Sequence, residues 1–140
     1  MFDNDSLQNG IQETIALFNG CEFANTLGME IIEARPGFAR VIMDGKGKAN
    51  PNKKIHGGAI FTIADQAFGI AGNLDNIPRV AISASIMYLS PATGPLEAVA
   101  ERVGDDDPHS VYHVKVYEGK RLVATFEGVG IQAPANSLGA

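Results

Sequence analysis

Asp65 is the side chain that most strongly suggests chemistry in this sequence. It lies near the middle of the segment from His56 to Asn73, HGGAIFTIADQAFGIAGN, in which most neighbours are apolar. Burying a carboxylate without a partner is costly, so this position indicates either a reactive acid or a hydrogen-bonded core residue. Thr62, Gln66 or a strand hydroxyl is a candidate partner for the second case. The residues alone leave both interpretations open.

The start of the same segment, His56-Gly57-Gly58, has the composition of an anion-binding turn. The first N–H groups of a helix have no intrahelical partner, and glycines allow a ligand to approach them closely. The helix dipole adds positive potential at this end. Together these features predict a site for a carbonyl oxygen that gains negative charge. The alternative is that the two glycines only permit the turn from loop to helix.

The distance between these two features constrains how they can cooperate. Eight residues separate Gly57 from Asp65, which is about 12 Å along a helix axis. One helix therefore cannot present both groups to a single carbonyl carbon. Two antiparallel copies around a two-fold axis would bring Gly57 of one chain to Asp65 of the other. This geometry predicts a homodimer with two identical sites at its interface.

Three further polar residues are weaker candidates. Asn50 precedes His56 by six residues and is placed to orient a water or to support the carbonyl site, although its Asn-Pro-Asn context is also ordinary turn chemistry. Ser83 and Ser85 share one face of the strand predicted after the helix, because strand side chains alternate. One of these serines is a candidate partner for Asp65. Both are equally well explained as small residues packed against the helix.

Composition excludes several classes of function. The net charge of -5 and the pI near 5.1 argue against general nucleic-acid binding. A single cysteine, Cys21, cannot form an internal disulfide and indicates a reducing compartment. No signal peptide is apparent, and the apolar stretch 59–71 is too short to cross a membrane. The three histidines lack metal-ligand spacing. We therefore expect a cytoplasmic protein without a metal.

The elements that must position these residues follow from hydrophobic periodicity. A helix that is apolar nearly all round, as His56 to Asn73 is, must be buried on most sides. We expect a single α+β domain over residues 1–140, in which a curved antiparallel sheet wraps this central helix and exposed sheet edges favour oligomerisation. An N-terminal helix is predicted over 6–19, within an N-terminal segment 1–20, and a mobile tail over 133–140. The predicted strands are Met29–Arg35, Phe38–Met43, Arg79–Leu89, Leu96–Val103, His109–Glu118 and Leu122–Gln132.

These motifs, taken together, resemble those of the hotdog-fold thioesterases of the phenylacetic-acid-degradation, or PaaI-like, type. The order of elements is similar from about Asn25 to Ile131. The matching motifs are Asn50, His56-Gly57-Gly58, Ala64-Asp65 with Ala67-Phe68, and Tyr88-Leu89-Ser90-Pro91-Ala92. The resemblance implies hydrolysis of acyl-CoA thioesters with no metal or bound cofactor, since coenzyme A is part of the substrate. It also implies homodimers that pair into homotetramers.

The resemblance further implies roles for individual residues. The family's acid corresponds to Asp65, acting as nucleophile or as general base, and its carbonyl-polarising N–H corresponds to Gly57. Its asparagine and histidine correspond to Asn50 and His56. Some relatives carry a supporting serine on the next strand. A gapless count places Ala81 at that position, with Ser83 two residues along on what strand alternation predicts to be the same face.

Substrate contacts complete the predicted site. The residues expected to bind substrate are Gly58, Phe61, Phe68, Ser83, Ser85 and Met87, and candidate cations for the CoA phosphates are Lys53, Lys54, Arg79, Lys120 and Arg121. The acyl preference is not predicted. Two other functions fit the same fold. One is a non-catalytic acyl-CoA-binding protein, and the other is an enoyl-CoA hydratase or dehydratase in which His56 works with the acid.

Overall fold

The computed structural model describes residues 4–134, which form one six-stranded antiparallel sheet with one long helix packed across it. The strand order is β1-β2-β4-β5-β6-β3, and the predicted α+β hotdog arrangement is confirmed. No helix within these residues is long and apolar enough to cross a membrane. The elements are α1 (Asn4–Asn19), α2 (Glu22–Thr26), β1 (Glu30–Arg35), β2 (Phe38–Met43), α3 (Gly57–Ala71), β3 (Arg79–Tyr88), β4 (Leu96–Asp106), β5 (His109–Glu118) and β6 (Arg121–Gln132).

The core lies between α3 and the inner face of the sheet. α3 packs mainly on β2, β4 and β5, and alternate residues of β2 are buried, as expected for a strand with one covered face. Alanines at the contact allow the helix to approach the sheet closely. Fully buried residues of this core include Ala39, Val41, Ile63, Ala64, Ala67, Ile70, Ala98, Ala100, Tyr112, Val114 and Val116.

Two details of the elements differ from the prediction. The short helix α2 was not predicted, because five residues carry too little periodicity to be recognised. β4 continues to Asp106, beyond a bulge between Arg102 and Gly104, and pairs Asp106 with His109. The acidic stretch is therefore strand up to the hairpin turn, because a bulge keeps the ladder paired after inserting one residue.

The C-terminal prediction is only partly covered by the described residues. Ala133 donates its N–H to the Pro78 carbonyl at 3.0 Å, so this residue is fixed to the start of β3. Residues 135–140 of the predicted mobile tail lie outside the described part of the chain.

Strand β3 forms one edge of the sheet and positions the residues next to α3. It pairs only with β6, and most of its residues are exposed. Ile82 and Met87 are 55% and 63% exposed. A long apolar edge with unpaired backbone groups is a template for pairing with another strand.

A bulge in β3 changes which residues face the helix. Ala81 pairs with Gly130 and Ser83 pairs with Val129, so the register shifts at Ile82. Because the bulge adds one residue to the strand, Ala81 and Ser83 lie on opposite faces of the sheet. The prediction that they share a face is wrong, since it assumed unbroken alternation.

A close contact in the core predicts a sensitive position in β6. A Cβ at Gly128 would lie 2.8 Å from the Phe68 Cε1, Cε2 and Cζ atoms. Gly128→Ala is therefore expected to destabilise the fold by about 1–3 kcal/mol, because the ring must leave its packed position. Urea unfolding measures this loss.

Gly104→Ala is the matched control, because a Cβ there meets nothing within 4 Å. Its unfolding midpoint should stay close to that of the wild type. Equal midpoints for the two variants would contradict the packing assigned to Phe68.

Candidate active site

The N-terminus of α3 leaves one backbone donor unused. His56 is the N-cap, and its Nδ1 accepts a hydrogen bond from the Gly58 N–H at 2.9 Å. Because Nδ1 accepts, the proton of the neutral ring lies on Nε2. Within residues 4–134, the Gly57 N–H has no hydrogen-bond acceptor. Gly57 therefore remains available to polarise a carbonyl, whereas Gly58 is already engaged by His56.

Tyr88 holds Gly57 in place from the end of β3. Its hydroxyl donates to the Gly57 carbonyl at 3.0 Å. A Cβ at Gly57 would lie 3.3 Å from the phenol Cζ and hydroxyl oxygen, so a larger residue here requires the Tyr88 ring to shift by a few tenths of an ångström. The sequence did not indicate this contact, because 31 residues separate its two partners.

Asn50 has a structural role that leaves part of its side chain free. Its Oδ1 accepts from the N–H groups of Asn52 and Lys54 at 2.9 and 3.0 Å, which confirms the turn-forming interpretation. The amide Nδ2 makes no hydrogen bond to any described residue. Asn50 and Lys54 line a cleft of about 410 Å³ together with Gly57 and Tyr88.

Asp65 lies beside a second pocket and has no described partner. Thr62 donates to the Gly58 carbonyl at 2.7 Å rather than to Asp65, and no other residue of the described chain bonds to this carboxylate. The side chain is exposed in a single protomer, yet the surrounding protein still shields it in part, and this burial raises the pKa of Asp65. The interpretation of Asp65 as a hydrogen-bonded core residue is therefore not supported.

The pocket at Asp65 is apolar along much of its wall and has a volume of about 210 Å³. Phe68 lines it and packs against Tyr112 and Phe126, with ring centroids 5.2 and 5.8 Å apart. Phe61 packs edge to face on Phe126 at 5.4 Å and does not line this pocket. The other lining residues are Phe18, Gln66, Gly69, Gly72, Asn73, Arg79, Val80, Ala81 and Gly130.

Three predicted substrate-binding residues lie elsewhere. Ser83, Ser85 and Met87 pair with β6 residues that face away from α3, and the last two border a groove on the outer face of the sheet with His113. Ser83 and Ser85 do share a face, as alternation predicts. Within one protomer, however, neither can reach Asp65, because the bulge at Ile82 turns both away from the helix.

Two candidate cations for phosphate binding are already engaged. Arg79 is 8% exposed and donates to the Gly72 carbonyl and to Asp75, both at 2.8 Å. Arg121 contacts Glu118 and donates to the Pro91 carbonyl at 2.7 Å. These contacts stabilise loops, so the structure removes Arg79 and Arg121 from the set of free cations. Lys53, Lys54 and Lys120 remain exposed.

Known proteins with similar sequences cover most of the chain. Residues 13–121 match the model of a domain of unknown function, DUF4442. The acyl-coenzyme A thioesterase PaaI of Escherichia coli K12 is 31% identical over 121 residues, which cover 84% of this chain and 86% of that protein.

Solved structures of similar proteins match the fold closely. The structure of E. coli PaaI superposes with a TM-score of 0.84 at 28% identity, covering 90% of this chain and 94% of that one. A variant of the phenylacetic acid degradation protein PaaI from Thermus thermophilus superposes with a TM-score of 0.76 at 30% identity, covering 79% and 98%.

The raised pKa of Asp65 predicts an effect on stability. The Asp65 carboxyl group binds its proton more tightly in the folded protein than in the unfolded chain. The free energy of unfolding therefore falls as pH rises from the unfolded-state pKa of this group to its folded-state pKa. Asp65→Asn removes that loss, so its melting temperature at pH 7 should equal or exceed that of the wild type. The difference should vanish below the ordinary aspartate pKa.

Asp44→Asn provides a control of opposite sign. A hydrogen bond from Lys48 lowers the pKa of Asp44. The ionised Asp44 carboxylate therefore stabilises the folded protein at neutral pH, and this contribution is lost in acid. This variant should melt lower than the wild type at pH 7. A lower melting temperature for Asp65→Asn as well would contradict the unpartnered state of Asp65.

Proposed function

We propose how this chain, which belongs to the PaaI-like family of hotdog-fold thioesterases and is a thioester hydrolase, carries out its reaction. Asp65 of one protomer acts on the carbonyl carbon of an acyl-CoA, and the Gly57 N–H of its partner polarises the carbonyl oxygen. The observation that carries this proposal is the unpartnered state of both groups on the same helix.

The edge strand β3 supports the pairing of two protomers. The Asp65 pocket includes Ala81 near the start of β3, whereas the Gly57 cleft includes Tyr88 at its end. Antiparallel pairing of β3 with a second β3, which places Ala81 opposite Tyr88, therefore brings the pocket of one chain to the cleft of the other. Because the bulge at Ile82 adds one residue between Ala81 and Tyr88, the two-fold axis then passes between the two copies of Ser85.

This arrangement assigns the two cavities to the two parts of the substrate. The cleft at Gly57 offers Lys54 and the free amide of Asn50, which suit the polar CoA arm. The pocket at Asp65 has apolar walls formed in part by Phe68 and Val80, which suit the acyl group. His56 supports the site by holding Gly58, so that Gly57 is the free donor at the helix start.

Two reaction courses fit this geometry. In the first, an Asp65 oxygen attacks the carbonyl carbon, CoA leaves as the thiolate, and water then hydrolyses the acyl–aspartyl anhydride. In the second, Asp65 takes a proton from water, which attacks the same carbon and expels the thiolate directly. Both consume one water and release a free acid and CoA, and neither uses a metal or other cofactor.

Pairing of dimers into a homotetramer and a cytoplasmic location stay predictions. The groove on the outer sheet face, which includes Ser85, Met87 and His113, leaves a surface on which two dimers can pack. The single cysteine remains the basis for a reducing compartment.

The first test is a free-thiol release assay across acyl-CoAs from acetyl to palmitoyl, with phenylacetyl- and hydroxybenzoyl-CoA. Wild type should release CoA thiol, and Asp65→Asn should lower kcat by at least about a hundredfold, because the acid group acts in the transition state. A variant that stays folded but keeps wild-type turnover would exclude Asp65 from the reaction.

The same assay separates the two other functions. Thiol absent from every wild-type reaction, with the acyl-CoA bound, would indicate a binding protein. A change in enoyl absorbance without thiol would indicate hydration chemistry. Either result would overturn the proposed hydrolysis.

A mixing experiment tests whether each site uses two chains. Gly57→Pro removes the N–H at the first helical position, where proline is tolerated, and the extended His56 backbone (φ -59°, ψ 136°) is compatible with a following proline. Gly57→Pro and Asp65→Asn should each be inactive alone. Mixed as equal, exchanging dimers, they should recover about a quarter of wild-type activity, because half of the dimers contain one complete site.

Gly57→Ala is the matched control for the proline variant. It adds a Cβ against Tyr88 but keeps the N–H, so it should retain most activity if the donor is what matters. No recovery in verified mixed dimers would mean that both groups act within one chain.

A further inference from the structure

We propose that Phe18, from the N-terminal helix α1, sets the size limit of the acyl pocket at the point where its ring lies over Gly69. This inference rests on the proposed thioesterase function, because it assigns the pocket at Asp65 to the acyl group. Phe18 lines that pocket, although α1 lies far from α3 in the chain.

The pocket runs along one face of α3. Asp65, Gly69 and Asn73 follow one another at intervals of four residues, and all three line it. Residues at this spacing lie above one another on a helix, so Gly69 lies about 6 Å beyond Asp65 toward the helix C-terminus. An acyl chain that extends from the reacting carbonyl in this direction passes over Gly69.

Phe18 covers this path at Gly69. A Cβ at Gly69 would lie 3.5 Å from the Phe18 Cε1 and 3.7 Å from its Cζ. The ring therefore sits at van der Waals distance from the place of the missing side chain. Phe18 and the backbone of Gly69 together form a wall that an acyl chain must meet.

The volume of the pocket gives the expected size of the acyl group. A pocket of about 210 Å³ is somewhat larger than a cavity of about 150 Å³, which holds benzene. It accommodates an acyl group of roughly six to eight carbon atoms on the same scale. A longer chain has to displace the Phe18 ring, and forcing extra methylenes into a filled space is unfavourable.

A chain-length series tests this limit. In Phe18→Ala, the ratio of kcat/KM for decanoyl-CoA to that for butyryl-CoA should rise at least about tenfold, because each newly accommodated methylene contributes about a fourfold gain in binding. Leu17→Ala is the matched control, because Leu17 is 58% exposed on the same helix and does not line the pocket. Its ratio should equal that of the wild type.

Gly69→Ala tests the same wall from the opposite side. Its Cβ makes an ordinary contact with Phe18, and alanine favours a helix interior, so the variant should fold. Its decanoyl-to-butyryl ratio should fall several-fold, because the added methyl group narrows the path. This variant keeps the inference testable if Phe18→Ala does not fold.

The outcomes distinguish a size limit from a role in packing. Phe18 also packs against the core, and a residue with only that role changes the melting temperature while leaving the chain-length profile unchanged. An unchanged profile in folded, active Phe18→Ala and in Gly69→Ala would overturn the inference. Thioesterase activity absent from the wild type would instead overturn the proposed function.

Discussion

The packing of α3 across the inner face of the sheet is the interaction on which the rest of the structure depends. Alanines on both sides of the contact let the helix approach β2 and β4 closely, and Gly128 lets the Phe68 ring touch the backbone of β6. This contact buries most of the apolar surface of α3 and fixes its direction relative to β3. Gly57 therefore lies beside the end of β3, and Asp65 lies beside its start.

That fixed direction keeps the two unpartnered groups of α3, the Gly57 N–H and the Asp65 carboxylate, apart. A rigid helix keeps Gly57 and Asp65 about 12 Å apart, and no change of side-chain rotamer closes that distance. In the proposed dimer, pairing at the free edge of β3 brings Gly57 of one chain to Asp65 of the other, because a two-fold axis reverses their order. In that proposed arrangement, the apolar edge that favours unspecific pairing in a monomer completes the site.

Two carboxylates of the chain, Asp65 and Asp75, lie in opposite electrostatic surroundings. Within the described residues Asp65 has no partner, and burial raises its pKa, whereas Asp75 is held by Arg79 and Arg102 at 2.8 and 3.2 Å. The satisfied carboxylate supports a loop, and the unsatisfied one is the acid of the proposed reaction. A similar division holds at the helix start, where His56 engages the Gly58 N–H and leaves that of Gly57 unused.

The sequence by itself determined the central helix, the strands and the two chemical features of α3, because these depend on local periodicity and on the residue types at a helix start. Tertiary structure alone decided which faces meet. The bulge at Ile82 turned Ser83 away from Asp65, and the close contacts of Tyr88 with Gly57 and of Phe18 with Gly69 join residues far apart in the chain. A one-residue shift in a ladder and a long-range packing contact leave no periodic signal, since both depend on the packing of the whole sheet against α3.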